Sequence, residues 1–188
     1  MLRILLNFMI AALSFAAIAA HCKNTGVSVV MRFFTAQSNL FCGAVCLLTG
    51  ILLLSGGTVP YWVLIVKYAA TAAVTVTFLT VMLYLAPFGP GYKVLLSGPD
   101  FYLHLFCPVL TVLTYILWDH ADMPFYMVLI GTLPVVLYGI LYLYKVVSGK
   151  AKRPWDDFYV FNKDGKWRVS CAAMLSGGLI ISVLLWLV

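Results

Sequence analysis

Charge is the first thing this sequence is short of. Only 10% of its 188 residues are charged, where a soluble domain of that length needs roughly 25% to clothe its surface. A chain so poor in charge cannot be wetted all round, so lipid must cover much of it. No soluble domain remains once the apolar runs are set aside, the largest polar piece being the stretch 145–168. Cysteine offers no framework either. The five cysteines are an odd number, and four of them (Cys42, Cys46, Cys107, Cys171) lie in or beside apolar runs. This excludes a disulfide scaffold and a zinc site and leaves them as small packing residues. Phosphate-loop, HExxH and GxSxG motifs are missing. A single histidine inside an apolar run excludes the two axial ligands of a membrane cytochrome b. No cofactor and no metal is expected.

What the sequence has is hydrophobicity, 64% of residues and a mean hydropathy of +1.04. It is gathered into runs of about 20 residues, the length that crosses a hydrocarbon core as helix. Six spans are predicted, over 2–20, 34–54, 61–86, 101–118, 124–144 and 169–188, giving one all-α polytopic domain, a bundle of six transmembrane helices. Turn chemistry separates them at Ser55-Gly56-Gly57, Pro87-Phe88-Gly89-Pro90-Gly91 and Ser97-Gly98-Pro99. Tyrosine and tryptophan gather near the ends, as in interfacial belts. The first run, with Arg3 before it and Ala16-Ala17-Ile18-Ala19-Ala20 at its close, also fits a secretory signal peptide; it is read as a span.

The net charge of +6 follows from topology rather than from a nucleic-acid partner. Of the 12 basic residues, Arg3 falls on one face and Lys67 inside a span. Lys23, Arg32, Lys93, Lys145, Lys150, Lys152, Arg153, Lys163, Lys166 and Arg168 all fall on the other. Counted this way, the basic face is cytoplasmic and both termini lie outside.

Polar residues inside spans need partners or a cavity. Thr35, Ser38, Asn39, Cys42, Cys46 and Thr49 form one narrow stripe on the second span, and His104, Pro108, Thr111 and Tyr115 form another on the fourth. Helix packing accounts for most of such a pattern. Thr35 and His104 stand apart, because both fall near the basic face at similar depth, as a hydroxyl nucleophile and its base require. Lys67, with Thr71 one turn deeper, either snorkels or forms a structural ion pair with Asp119.

The segments Arg32-Phe33-Phe34-Thr35-Ala36-Gln37-Ser38-Asn39 and Tyr102-Leu103-His104-Leu105-Phe106-Cys107-Pro108, with Lys67-Tyr68 opening a threonine-rich helix, carry a resemblance. The chain resembles small six-helix bacterial membrane proteins, similar in turn to the androgen-induced and androgen-dependent TFPI-regulating protein family of animals. That resemblance implies an intramembrane threonine hydrolase of fatty acid esters of hydroxy fatty acids, in a bacterial cytoplasmic membrane. It assigns the nucleophile to Thr35 and the base to His104, with a lipid ester as the partner; Asn39, one turn below Thr35, and Ser38 beside it are candidate oxyanion donors by position. It also implies both termini in the cytosol, opposite to the charge count, so orientation stays open. The competing reading is a non-enzymatic transporter or partner-binding subunit.

Overall fold

The computed structural model describes residues 1–188. Six helices are long and apolar enough to cross a membrane: α1 (Leu2–Thr25), α2 (Phe34–Leu54), α3 (Tyr61–Phe88), α4 (Pro99–Asp119), α5 (Phe125–Val147) and α6 (Trp167–Trp186). There are no strands. The chain is an integral, multi-pass, all-α membrane protein. The helices match the predicted spans and overrun several of them, α1 by five residues and α5 by three. Backbone hydrogen bonds continue where the apolar side chains stop, until a residue breaks the ladder. For α1 that residue is Gly26, at φ +87, whose N–H closes on the Cys22 carbonyl at 2.9 Å.

Two prolines shape the helices near the basic face. Pro108 has no N–H to give the His104 carbonyl and its ring crowds that oxygen, and the backbone widens to i→i+5 bonding over Tyr102–Phe106. Pro87 does the same to Leu83, within a widened turn at Val81–Leu85. His104 therefore sits at the centre of a helical irregularity imposed from the sequence four residues later.

Helix α3 is the hub. One face, through Ala70 and Val74, packs with Ile10 of α1, Cys42 and Cys46 of α2 and Cys107 of α4. The other, through Tyr68, Ala72 and Val76, packs with Tyr115 of α4, Val135 of α5 and Ile181 of α6. Both stripes read from the sequence are buried apart from Thr35, which is half-buried: Ser38, Asn39, Cys42, Cys46 and Thr49 on α2, and His104, Thr111 and Tyr115 on α4. Leu40, Leu47 and Leu48 point outward. Burial of the polar stripe and exposure of leucine is the pattern of a bundle solvated by lipid.

Glycine sets how closely α1 and α2 approach. A methyl group on Gly43 would stand 2.8 Å from the Phe15 ring, and one on Gly50 would stand 3.2 Å from the Phe8 ring. Each glycine is the seat for a phenyl group, so the two helices interlock without space between them.

Candidate functional site

Thr35 occupies the first turn of α2, whose start is capped by no side chain of its own. Cover comes from a distant loop. The Tyr159 phenol oxygen accepts the Phe34 N–H at 3.1 Å, standing in for a capping residue. The Thr35 hydroxyl and backbone N–H also face that oxygen. Burial pushes the Tyr159 phenol above its ordinary pKa, and the donors from Phe34 and Thr35 oppose the shift.

The 148–166 loop is organised so that Tyr159 reaches this point. Asp157 accepts the Tyr142 hydroxyl at 2.9 Å and the N–H groups of Phe161 and Asn162 at 2.8 Å each. The Tyr142 oxygen in turn accepts the Tyr159 N–H at 3.2 Å. Val160, next in line, is forced to φ +54, a conformation that a β-branched residue holds only when its surroundings dictate it. Tyr138 donates to the Arg32 carbonyl at 2.8 Å and lies 5.0 Å, ring to ring, from Phe34. The aromatic loop and α5 thus clamp the turn that carries Thr35.

Thr35 lies in the wall of a cavity of about 610 Å³ between α3, α5 and α6. The walls are mostly apolar, and the polar groups among them are Thr35, Thr77, Thr80, Ser170 and the tyrosine hydroxyls. Leu83, Val169, Ile180 and Leu184 belong to both the cavity wall and the exposed surface. The cavity therefore opens sideways between α3 and α6, where acyl chains surround the protein. A methyl group on Gly177, another wall residue, would meet nothing within 4 Å.

His104 is buried but is not part of that wall. Its Nδ1 lies 2.7 Å from the Leu95 carbonyl oxygen. A carbonyl can only accept, so Nδ1 carries the hydrogen and Nε2 is the basic nitrogen of the neutral ring. No hydrogen bond joins His104 to Thr35. Asn39 connects their helices, donating to the Thr35 carbonyl at 2.9 Å and to the Leu103 carbonyl at 3.0 Å. The turn that carries Thr35 and the turn that carries His104 are thereby tied together by one side chain. The Asn39 amide protons are both used in this bridge, while its Oδ1 is buried without a donor. Ser38 Oγ lies 3.2 Å from the Thr35 carbonyl and 2.9 Å from Thr77 Oγ1. Neither donor named as an oxyanion candidate is free in this arrangement.

Lys67 and Asp119 are brought together. Lys67 Nζ lies 3.3 Å from Asp119 Oδ2, and Arg3 binds Asp119 Oδ1 through Nε at 3.0 Å and Nη2 at 2.7 Å. Lys67 also donates to Asn7 Oδ1 and, at 3.2 Å, to Cys46 Sγ. Lys67 is wholly buried rather than reaching to the interface, with two hydrogen-bond acceptors and the Asp119 carboxylate as its counter-ion.

Sequence reasoning took Arg3 as a topology signal and did not single out Asn7, Tyr138, Tyr142 or Tyr159. Asn7 and Arg3 stand one helical turn apart in the first span, a spacing that marks a shared face. Nothing in sequence order points from Tyr159 to Thr35.

The fold and the site define a six-helix integral membrane protein with a lateral apolar cavity that has Thr35 in its wall. Comparison with protein-family models, with curated proteins and with solved structures returns no match.

Proposed function

We propose that this protein is an intramembrane hydrolase of lipid esters, fatty acid esters of hydroxy fatty acids or similar, related to the androgen-induced and androgen-dependent TFPI-regulating proteins. The observation that carries the reading is a threonine hydroxyl in the wall of a cavity that opens to the acyl region of the bilayer. A lipid ester enters such a cavity directly from the membrane. Thr35 Oγ attacks the ester carbonyl while His104 Nε2 takes its proton, and the carbonyl electron pair moves onto oxygen. The oxyanion collapses, the C–O bond to the alcohol breaks, and His104 returns the proton to the leaving oxygen. Water, deprotonated by the same nitrogen, then releases the acid from Thr35.

Two features support the chemistry beyond the residue pair. The start of α2 brings the positive end of a helix dipole beside Thr35. The Tyr159 oxygen accepts the Phe34 N–H at the same spot, which leaves its own O–H as the donor toward an oxyanion. His104 Nδ1, tied to Leu95, keeps Nε2 in the basic tautomer. Closing the gap between Nε2 and Thr35 falls to substrate or to a bridging water, since catalytic hydrogen bonds often tighten only in the substrate complex.

Purified protein in lipid nanodiscs tests this. A fluorophosphonate probe should label the wild type at Thr35, and Thr35→Ala should abolish both labelling and hydrolysis of a long-chain ester. His104→Ala should lower the rate by about 10²- to 10⁴-fold. Labelling that survives both substitutions sinks the assignment. A second reading, a non-enzymatic lipid carrier or partner-binding subunit, is favoured by the absence of His104 from the cavity wall. It requires lipid binding by a wild type that no probe labels.

A further inference from the structure

The apolar cavity does not end at the membrane face. A second, polar pocket of about 340 Å³ adjoins it and shares Tyr84, Val160, Val169 and Ser170 as common walls. Its remaining walls are Lys163, Asp164 and Lys166. The two lysines are held on one turn, the Lys166 N–H bonding the Lys163 carbonyl at 3.0 Å. Neither lysine is in an ion pair. With Asp164 counted, this vestibule keeps one unmatched positive charge. It also borders the start of α6, which no side chain caps, so the helix dipole adds to its positive potential.

We propose that Lys163 and Lys166 form a headgroup subsite for the cavity, and that its ligand is an anionic amphiphile, with a carboxylate or phosphate head and a long apolar chain. The identity of the reacting bond rests on the hydrolase reading above; the subsite itself rests on the continuity of the two pockets. The dimensions suit such a ligand. The cavity follows α6 from Ser170 to Leu184, about 21 Å at 1.5 Å per residue, against a leaflet depth of about 15 Å. Polarity changes once along that length, cationic at the mouth and apolar beyond. Thr35 and Ser170 each belong to the first turns of their helices, so the hydroxyl acts toward the head end and the chain fills the depth. A neutral lipid would leave that one positive charge unmatched, whereas an anionic head with one tail suits both zones.

Binding of palmitate, hexadecyl phosphate and hexadecanol to the protein in phosphatidylcholine nanodiscs separates the outcomes. Both anions should bind about tenfold or more tightly than the alcohol, with a preference that shrinks as salt is raised. Tighter palmitate identifies a carboxylate head and tighter hexadecyl phosphate a phosphate head; either supports the subsite. The Lys163→Gln/Lys166→Gln double variant should lose the anion preference and keep its affinity for hexadecanol, while Lys163→Arg/Lys166→Arg should retain the preference. Gly177→Leu should abolish binding of all three. Equal affinity for alcohol and anions in the wild type, or an unchanged preference in the glutamine variant, overturns the proposal. Probe labelling at Thr35 without any anion preference removes the subsite and leaves the hydrolase. Anion preference without labelling does the reverse.

Discussion

The two sides of α3 solve the same problem in opposite ways. Toward α1, α2 and α4, polar groups are buried against one another, with Lys67, Asp119, Arg3, Asn7 and Cys46 joined in one cluster. Glycines there are filled by the phenyl rings of Phe8 and Phe15. Toward α5 and α6, threonine, serine and tyrosine hydroxyls line a space of about 610 Å³, and Gly177 faces emptiness. Small and hydroxylated residues are common to both sides, so composition does not separate a packed interface from a ligand cavity. On the second side Gly131 and Gly139 are filled too, by the Tyr68 ring and the Met174 methyl, so the ligand space is marked by Gly177, where no side chain occupies the room a glycine leaves.

This contrast assigns tight packing to one side and a ligand-sized space to the other, and mutation should divide the same way. The largest loss of stability is expected from Asp119→Ala, which strands the buried Lys67 ammonium and should cost about 3–5 kcal/mol. It should appear as a lowered midpoint of thermal unfolding in detergent. Adding Lys67→Met should restore most of the loss, because an apolar pair carries no desolvation penalty. A double variant no better than the single one would break the claim that the cluster is structural.

On the open side, Tyr159→Phe should reduce ester hydrolysis by about 10²-fold through loss of one oxyanion donor. KM should change little, and unfolding should shift by about 1 kcal/mol, as for a lost helix cap. An equal fall in binding and turnover would make Tyr159 a mere wall residue. Gly43→Leu should destabilise by about 1–3 kcal/mol, since the Phe15 ring must be displaced. Gly177→Leu, the same chemical change on the other side, should move the midpoint least, by about 0.5 kcal/mol, while stopping lipid binding. Comparable unfolding midpoints for the two glycine variants would erase the distinction between the sides.

Several parts of the architecture are legible in sequence order because they are local. The start of α3 is announced by Pro60 and Tyr61, and the break after α2 by Ser55-Gly56-Gly57. The widening around His104 follows from Pro108 four residues later. The stripe on α2 needs only the helical period to be read. Tyr159 is not legible in this way. It lies 125 residues from Phe34, in a loop whose shape depends on Asp157 meeting Tyr142 and on Val160 accepting a left-handed backbone. Arg3 is similar: its partner Asp119 is 116 residues away, and its sequence position alone reads as a topology signal.

By itself, the sequence determined that this chain lives in a bilayer as six helices, and that polar stripes on two of them turn inward. Water and lipid enforce both through transfer free energies summed over runs of neighbouring residues. Only the tertiary structure decided where those polar groups find partners. Lys67 meets a carboxylate, Thr35 meets a tyrosine and an open cavity, and His104 turns to a backbone carbonyl. The physical reason is that such contacts depend on which helices are neighbours and how closely they approach, and helix packing sets both over distances that periodicity does not reach.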